Sequence, residues 1–251
     1  MIMIKVKTSN LKLFCFLFLM SAVFSNAQIL EQYPHSQVPY RGGYEGYYSD
    51  FHQIVTEKNI APCANGEEFY QFSILINPDN SVNFIKDYNA NNIAKNKCAY
   101  DLAREVAQSQ KNWNPAVVEG VKKAAVATFM IYPADLFDTY HEGYMPAMTF
   151  PVFGKFKNNG MEEFRKEIVN RIDTRGFSWV DRFDVIVEFM ITKNSAIEDV
   201  IIIKSSSSEE FDKRVVYGIQ NTKRKWTPAT LNGKPIDYKY RLTLHAITDP
   251  S

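Results

Sequence analysis

Histidines and a run of serines are the residues of this chain whose types could do chemistry. The histidines, which could bind a metal or transfer protons, are His35, His52, His141 and His245. None has the i, i+4 or cysteine-partnered spacing of metal ligands, so we expect no metal site. The serines at 205–208 lack the G-x-S-x-G elbow of a nucleophile, and a helix cap accounts for them. We therefore expect a non-enzymatic protein without a cofactor, with a hydrolase as the least favoured alternative.

A tryptophan motif occurs twice in the chain. Trp113-Asn114-Pro115-Ala116 with Gly120 recurs 113 residues later as Trp226-Thr227-Pro228-Ala229 with Gly233. The same offset relates Leu102 to Val215 and Val106 to Ile219, on the apolar faces of two predicted helices. A duplicated unit of this size is one small domain. We interpret both tryptophans as core residues at a Pro corner whose N–H reaches a carbonyl; a ligand-stacking platform is the alternative.

The first 27 residues have the pattern of a secretory signal peptide. Three lysines precede a short apolar run that ends in Ser25-Asn26-Ala27, a cleavage pattern of small residues. The alternative is an uncleaved anchor, but the run is shorter than the ~20 apolar residues of a spanning helix. We therefore expect cleavage near Ala27, no stable membrane anchor afterwards, and a periplasmic or secreted protein.

Charge and cysteine content narrow the classes of function. Without the three lysines of the leader, the 29 basic residues become 26, against 28 acidic ones. This balance argues against a nucleic-acid-binding protein. Cys63 and Cys98 remain after cleavage, and in an oxidising compartment we expect them to form a disulfide. Two buried thiols or an intermolecular bridge are the alternatives.

Hydrophobic periodicity predicts the same order of elements in both halves: helix, strand, strand, helix, strand. In the second half, the apolar residues of 164–172 predict a helix, and 183–191 and 197–204 predict a hairpin. Residues 207–210 offer a capping box for a second helix, and 238–244 alternate as a half-buried strand. We expect an α+β fold of two tandem two-layer domains, each a three-stranded antiparallel sheet with helices on one face.

The predicted domains cover residues 28–134 and 150–251, joined by a linker at 135–149 whose aromatic residues should pack against a domain. Tyrosines are concentrated at the start of the first domain, at Tyr40, Tyr44, Tyr47 and Tyr48. Four tyrosines in nine residues exceed what one helix stripe buries. We expect some of them to form an exposed aromatic patch for a partner.

Four motifs follow one another in the second half: Asn194-Ser195-Ala196, Lys204-Ser205-Ser206, Lys225-Trp226-Thr227-Pro228-Ala229 and Asn232-Gly233-Lys234-Pro235. By their order and spacing, the second half resembles the C-terminal domain of the TonB family over about residues 155–247. Residues 40–132 resemble the same domain more loosely. They keep Trp113, Pro115, Ala116 and Gly120 but lack the Asn-Gly-Lys-Pro turn.

The resemblance implies a periplasmic binding domain whose sheet edge accepts an extended segment of a partner as an added strand. The accepting edge would be residues 236–246, with Ile236, Tyr238, Tyr240, Leu242 and Leu244 as its partner-binding residues. The expected partner is an envelope protein or peptide, with an outer-membrane receptor as one candidate. The family's energy-transducing members keep a membrane helix and a long Pro-rich spacer, whereas here the leader is expected to be cleaved and the segment 28–39 that follows is short. The resemblance therefore implies binding, in a role linked to TonB-dependent outer-membrane transport, and leaves energy transduction open. A structural or peptidoglycan-associated module without a peptide ligand is the alternative.

Overall fold

A computed structural model describes residues 29–155, 160–177 and 183–246. The predicted signal peptide, residues 1–27, lies outside the described residues. Within the described part, every helix is too short or too polar to cross a lipid bilayer.

The first half is built on a small antiparallel sheet covered by helices. Its described elements are α1 (Gly43–Glu57), β1 (Tyr70–Ile76), β2 (Val82–Phe84), α2 (Ala90–Lys95), α3 (Lys97–Ala107), β3 (Ala116–Val118), β4 (Val121–Lys123), β5 (Ala125–Ile131) and α4 (Pro133–Phe137). The main sheet has the order β2-β1-β5, and β3 and β4 form a separate hairpin. The predicted helix with tyrosines on its apolar stripe is α1, and the predicted hairpin is β1 with β2.

The second half has the same core arrangement. Its described elements are β6 (Met148–Thr149), β7 (Val152–Phe153), α5 (Met161–Val169), β8 (Phe183–Ile191), β9 (Ile197–Lys204), α6 (Glu209–Gln220), β10 (Trp226–Thr227), β11 (Ala229–Leu231), β12 (Lys234–Ile236) and β13 (Tyr238–Ala246). The main sheet has the order β13-β8-β9. Two smaller sheets have the orders β10-β7 and β12-β11-β6.

The α+β class and the antiparallel three-stranded sheets predicted from the sequence are confirmed. The short strands β3, β4, β6, β7 and β10–β12 were not predicted. Each has only two or three residues, which is too few for an alternation of polar and apolar side chains to be recognised.

Local geometry recurs between the halves at matching positions. Tyr40 bridges Trp113, and Phe153 pairs with Trp226 in the same antiparallel sense. The turn after β3 and the turn after β11 also agree. Their Glu119-Gly120 and Asn232-Gly233 pairs have φ values of 51° and 77°, and of 51° and 76°. Positive φ at both central residues suits a tight hairpin turn and requires glycine or a tolerant residue there.

The main hairpins of the two halves also turn in the same way. The Asn77 N–H donates to the Ser81 carbonyl at 2.8 Å in the first half. The Thr192 N–H donates to the Ala196 carbonyl at 2.9 Å in the second. The third turn residue, Asn80 or Ser195, has φ near 70° in both cases.

The first core is unusually aromatic, and this corrects the expectation of an exposed tyrosine patch. Tyr40, Tyr47 and Tyr48 are at most 2% exposed, and Tyr44 is partly buried against the same core. Tyr47 stacks on Phe129 of β5 with ring centroids 3.7 Å apart. Phe129 of β5 and Trp113 pack on Tyr47, Tyr144 packs on Tyr48, and Tyr40, which precedes α1, packs on Trp113 and Tyr47. These rings are buried because segments distant in the chain cover them.

The second core lies between the β13-β8-β9 sheet and helices α5 and α6. Val187, Phe189, Val215, Ile219 and Leu242 are each at most 1% exposed within it. The core therefore holds β13 against the helices through the side chains of one strand face.

Residues 135–149 connect the two halves and contact both. The segment begins within α4 and buries Leu136 and Tyr144 in the first core. It ends in β6, where Met148 pairs with Leu231 of β11.

The two cysteines of the first half are joined in a disulfide. The Sγ atoms of Cys63 and Cys98 are 2.02 Å apart, and the bond closes a sequence separation of 35 residues. The bridge connects the loop after α1 to helix α3, as the sequence predicted.

Replacing both cysteines, Cys63→Ser with Cys98→Ser, should lower the free energy of unfolding by about 3–4 kcal/mol. The loss arises because the unfolded chain regains the conformational freedom that a loop of this length removes. Urea unfolding of the oxidised protein and of the variant measures the difference, and a reductant should leave the variant unchanged. Equal stabilities of the two proteins would contradict the expectation.

Candidate functional site

The last strand, β13, lies at the edge of the C-terminal sheet. Its nine residues pair with β8 from Tyr238 opposite Ile191 to Ala246 opposite Phe183. No other strand among the described residues pairs with its second side. One side of β13 is therefore a row of backbone groups outside the sheet ladder, which is the requirement for accepting an added strand.

The observed edge differs in two ways from the predicted one. Ile236 belongs to β12, where it pairs with Ala229, so it is not part of the edge. Leu242 is fully buried, and Tyr240 and Leu244 pack against the same core. Because side chains alternate between the faces of a strand, these residues hold β13 on the helices and do not point to a partner. Within residues 238–245, the exposed side chains are those of Arg241 and His245.

The direction of each backbone group follows from a contact with the first half. The side chain of Gln71 binds both backbone groups of Lys239: Nε2 donates to the carbonyl at 3.1 Å, and Oε1 accepts from the N–H. The backbone of Lys239 therefore points away from β8. In an antiparallel ladder every second residue does the same, so Arg241 and Thr243 also direct their N–H and C=O outward.

The outward backbone groups of Arg241 and Thr243 have no hydrogen-bond partner within the described ranges. Arg241 is exposed and Thr243 is partly buried. The Thr243 hydroxyl donates to the Glu31 carboxylate at 3.2 Å, which places the segment around Glu31 beside the edge. The accessible part of the edge thus begins at Arg241.

An ion pair fixes the position of Lys239. Its Nζ lies 2.9 Å from Oδ2 of Asp87, and the two side chains are 13% and 2% exposed. Burial acts to raise the pKa of Asp87, but the Lys239 ammonium and three hydrogen bonds outweigh burial and hold it below its ordinary value. One of those bonds comes from the Tyr70 hydroxyl, whose pKa burial and the Asp87 charge raise.

Glu188 of β8 lies close to this ion pair, and its carboxylate has fewer polar partners than that of Asp87. Its Oε1 is 3.4 Å from an Arg241 nitrogen, while its Oε2 is buried and has no hydrogen-bond partner in the described part of the chain. Burial raises the pKa of Glu188 above its ordinary value, against the attraction of Lys239 and Arg241. Burial of the charged Glu188 carboxylate therefore lowers the stability of the folded protein at neutral pH.

Polar side chains make further contacts between the halves. Asp199 accepts hydrogen bonds from Asn89 at 3.0 Å and from Asn91 at 3.2 Å. Asp237 forms an ion pair with Lys95. The contact between the halves is thus rich in charged and amide groups around the start of β13.

The two Trp-Pro corners serve as core elements. Trp113 and Trp226 are 2% and 3% exposed. The Trp113 Nε1 donates to the Gln110 carbonyl at 3.0 Å, whereas the Trp226 Nε1 has no partner among the described residues. Pro115 and Pro228 are partly buried beside them. Buried rings of this kind offer no stacking surface to a ligand.

The histidines and serines are held in local structural contacts. His52 binds the Leu136 carbonyl and stacks on Tyr140, while His245 contacts Asp184 at 2.6 Å. Ser208 caps α6 by accepting the Phe211 N–H, as its sequence position predicted. Within the described ranges, the one group of three potential metal ligands is Cys63, Glu68 and Cys98, whose two thiols form the disulfide.

Sequence reasoning missed Gln71, Asp87 and Glu188. Each is polar within or beside an apolar strand, which is the one local signal available. Nothing in the sequence indicates that Gln71 contacts a residue 168 positions away.

Replacing Glu188 with Gln should make the protein more stable at pH 7 relative to wild type than at pH 4. The folded state of the wild type binds this proton more tightly than the unfolded state, so it loses stability as pH rises from about 4.5 through the raised pKa. The variant lacks this loss. Urea midpoints at both pH values measure the effect.

Glu198→Gln, the same substitution at an exposed position of β9, is the matched control. An unchanged pH dependence of stability in Glu188→Gln would contradict the raised pKa of Glu188.

Comparison with protein families gives one match. Residues 184–245 match the model described as Gram-negative bacterial TonB protein C-terminal. A comparison with curated proteins found no match. The match begins in β8 and ends in β13, so it contains the sheet and the edge described above. The C-terminal half of this chain thus carries a region similar to the TonB C-terminal domain.

Proposed function

We propose that this protein is an exported, non-enzymatic protein of the bacterial envelope that binds an extended segment of an outer-membrane protein by strand addition to β13. The match of residues 184–245 to the TonB C-terminal family supports an envelope role linked to outer-membrane transport. It also supports a periplasmic location.

The single observation that carries this proposal is the outward backbone of Arg241 and Thr243. Backbone groups on an edge strand form hydrogen bonds with any extended chain of suitable geometry, without a catalytic group. The buried side chain of Leu242 and the partly buried ring of Tyr240 hold this strand on the second core, so its edge is preorganised for a guest.

We further propose that the first half is a divergent copy of the same domain. Three features support this: the shared helix-strand-strand-helix-strand order of the main elements, the pairing of Tyr40 with Trp113 and of Phe153 with Trp226, and the nearly equal φ values of the two tight turns. In the first half, the strand at the position of β13 is β5. Leu30 lies alongside it, forming a parallel bridge to Ala125. The first copy therefore offers less of its edge than the second.

A structural or peptidoglycan-associated module without a peptide guest is the second candidate. The charged contacts between the halves, such as Lys239 with Asp87 and Lys95 with Asp237, favour it because they serve to pack one half on the other. Sedimentation of the purified protein with sacculi distinguishes the candidates, since a strand-adding protein should stay in the supernatant.

Strand addition should be abolished by Thr243→Pro. Proline lacks the N–H that points outward at this position, and an outward edge position tolerates proline because no ladder hydrogen bond is lost. A photocrosslinking amino acid at the exposed position 241 in cells of the source bacterium should capture an outer-membrane protein. The captured amount should fall at least roughly tenfold with Thr243→Pro, as expected when guest hydrogen bonds are lost.

Thr243→Val is the matched control, because it removes the hydroxyl that contacts Glu31 but keeps the backbone N–H. It should capture the same protein in similar amount. Equal capture by the proline variant, or crosslinks to peptidoglycan alone, would contradict strand addition.

A further inference from the structure

We infer that Gln71 of the first half sets the register of the guest strand, because its side chain already occupies the first pairing position of the β13 edge. This inference rests on the proposed strand addition. Gln71 lies outside the family match at residues 184–245, and as a positioning residue it limits the length of the guest segment that can pair with β13.

The contact reproduces the hydrogen bonds of a paired strand. An incoming strand would offer one N–H and one C=O to the outward backbone of Lys239. The amide of Gln71 supplies the same two groups, with Nε2 donating to the Lys239 carbonyl at 3.1 Å and Oε1 accepting its N–H. A guest residue cannot bind there while Gln71 is in place.

The position of Gln71 is fixed by its surroundings. Gln71 is 7% exposed and lies on β1, the central strand of the first sheet, where it pairs with Met130 of β5. On the other side of the contact, the buried ion pair with Asp87 holds the Lys239 side chain. Both partners are therefore held independently of the hydrogen bonds between them. The position beside Lys239 stays occupied, and a guest strand cannot pair there.

The remaining edge is short. Beyond Lys239, the outward positions of the strand are Arg241, Thr243 and His245, before it ends at Ala246. Because outward residues alternate, this stretch can pair with roughly five guest residues. The guest is therefore a short extended segment whose one end abuts the Gln71 amide, and additional residues at that end gain no pairing.

The chain contains a natural control for this role. Gln37 binds both backbone groups of Val117 in the same way, donating to its carbonyl at 2.6 Å and accepting its N–H at 2.7 Å. That contact protects the edge of the β3–β4 hairpin in the first half. Loss of either glutamine removes two hydrogen bonds, but only loss of Gln71 affects β13.

Amide hydrogen exchange on the disulfide-bonded chain lacking residues 1–27 tests whether the position is occupied. In wild type, the Lys239 amide should exchange slowly and the Arg241 and Thr243 amides rapidly. Gln71→Met, which keeps the length of the side chain, should accelerate exchange at Lys239 roughly tenfold, the effect of losing one hydrogen bond. Gln37→Met should leave it unchanged. Unaltered exchange at Lys239 in Gln71→Met would overturn the inference.

Peptide length tests the register itself. The probes are capped peptides of alternating threonine and valine with five and nine residues, titrated while the Arg241 and Thr243 amide signals are observed. Wild type and Gln37→Ala should bind both peptides with dissociation constants within twofold. Gln71→Ala, which removes the side chain that fills this position, should bind the longer peptide several-fold more tightly, because Lys239 becomes available to it.

The possible failures are distinguishable. Equal preference of wild type and Gln71→Ala for the longer peptide would overturn the register role while leaving strand addition intact. No change at Arg241 and Thr243 with either peptide, in any variant, would overturn strand addition and the register role together.

Discussion

The structure depends on how the backbone hydrogen-bonding groups of the last strand are satisfied. Every buried N–H and C=O must find a partner, and a strand paired on one side has half of its groups left over. In β13, the inner groups bind β8, one outward position binds the Gln71 side chain, and the next positions remain at the surface. The backbone groups of this one strand are thus divided between its own sheet, the neighbouring half and the surface.

The side chains of β13, and not its outward backbone groups, hold the strand against the rest of the protein. Leu242 and Tyr240 are held on one face by the helices of the second half, so β13 keeps its position whether or not its edge is occupied. On the opposite face, Lys239 and Glu188 meet the first half through Asp87 and its neighbours. An apolar face thus provides stability, and a charged face provides the attachment between the halves.

A polar contact between the halves has a different consequence from an apolar one. Gln71 and Asp87 come from β1 and the segment after β2, and they bind specific atoms of Lys239. Such directional bonds fix the relative position of the halves more narrowly than side-chain packing alone, since each donor must meet its acceptor. The carboxylate of Glu188, with one oxygen unpartnered, shows the energetic cost of placing charges at this contact.

Local patterns in the sequence determined the α+β class, the main helices and strands, the capping serine of α6 and the pairing of Cys63 with Cys98. Each depends on residues close together in the chain or on a strong chemical preference, so spacing alone suffices. Only the tertiary structure decided that Tyr40, Tyr47 and Tyr48 are buried, that Leu242 faces the core, and that Gln71 binds Lys239. These outcomes depend on which faces of distant segments meet, and a one-dimensional pattern does not specify contacts between residues 168 positions apart.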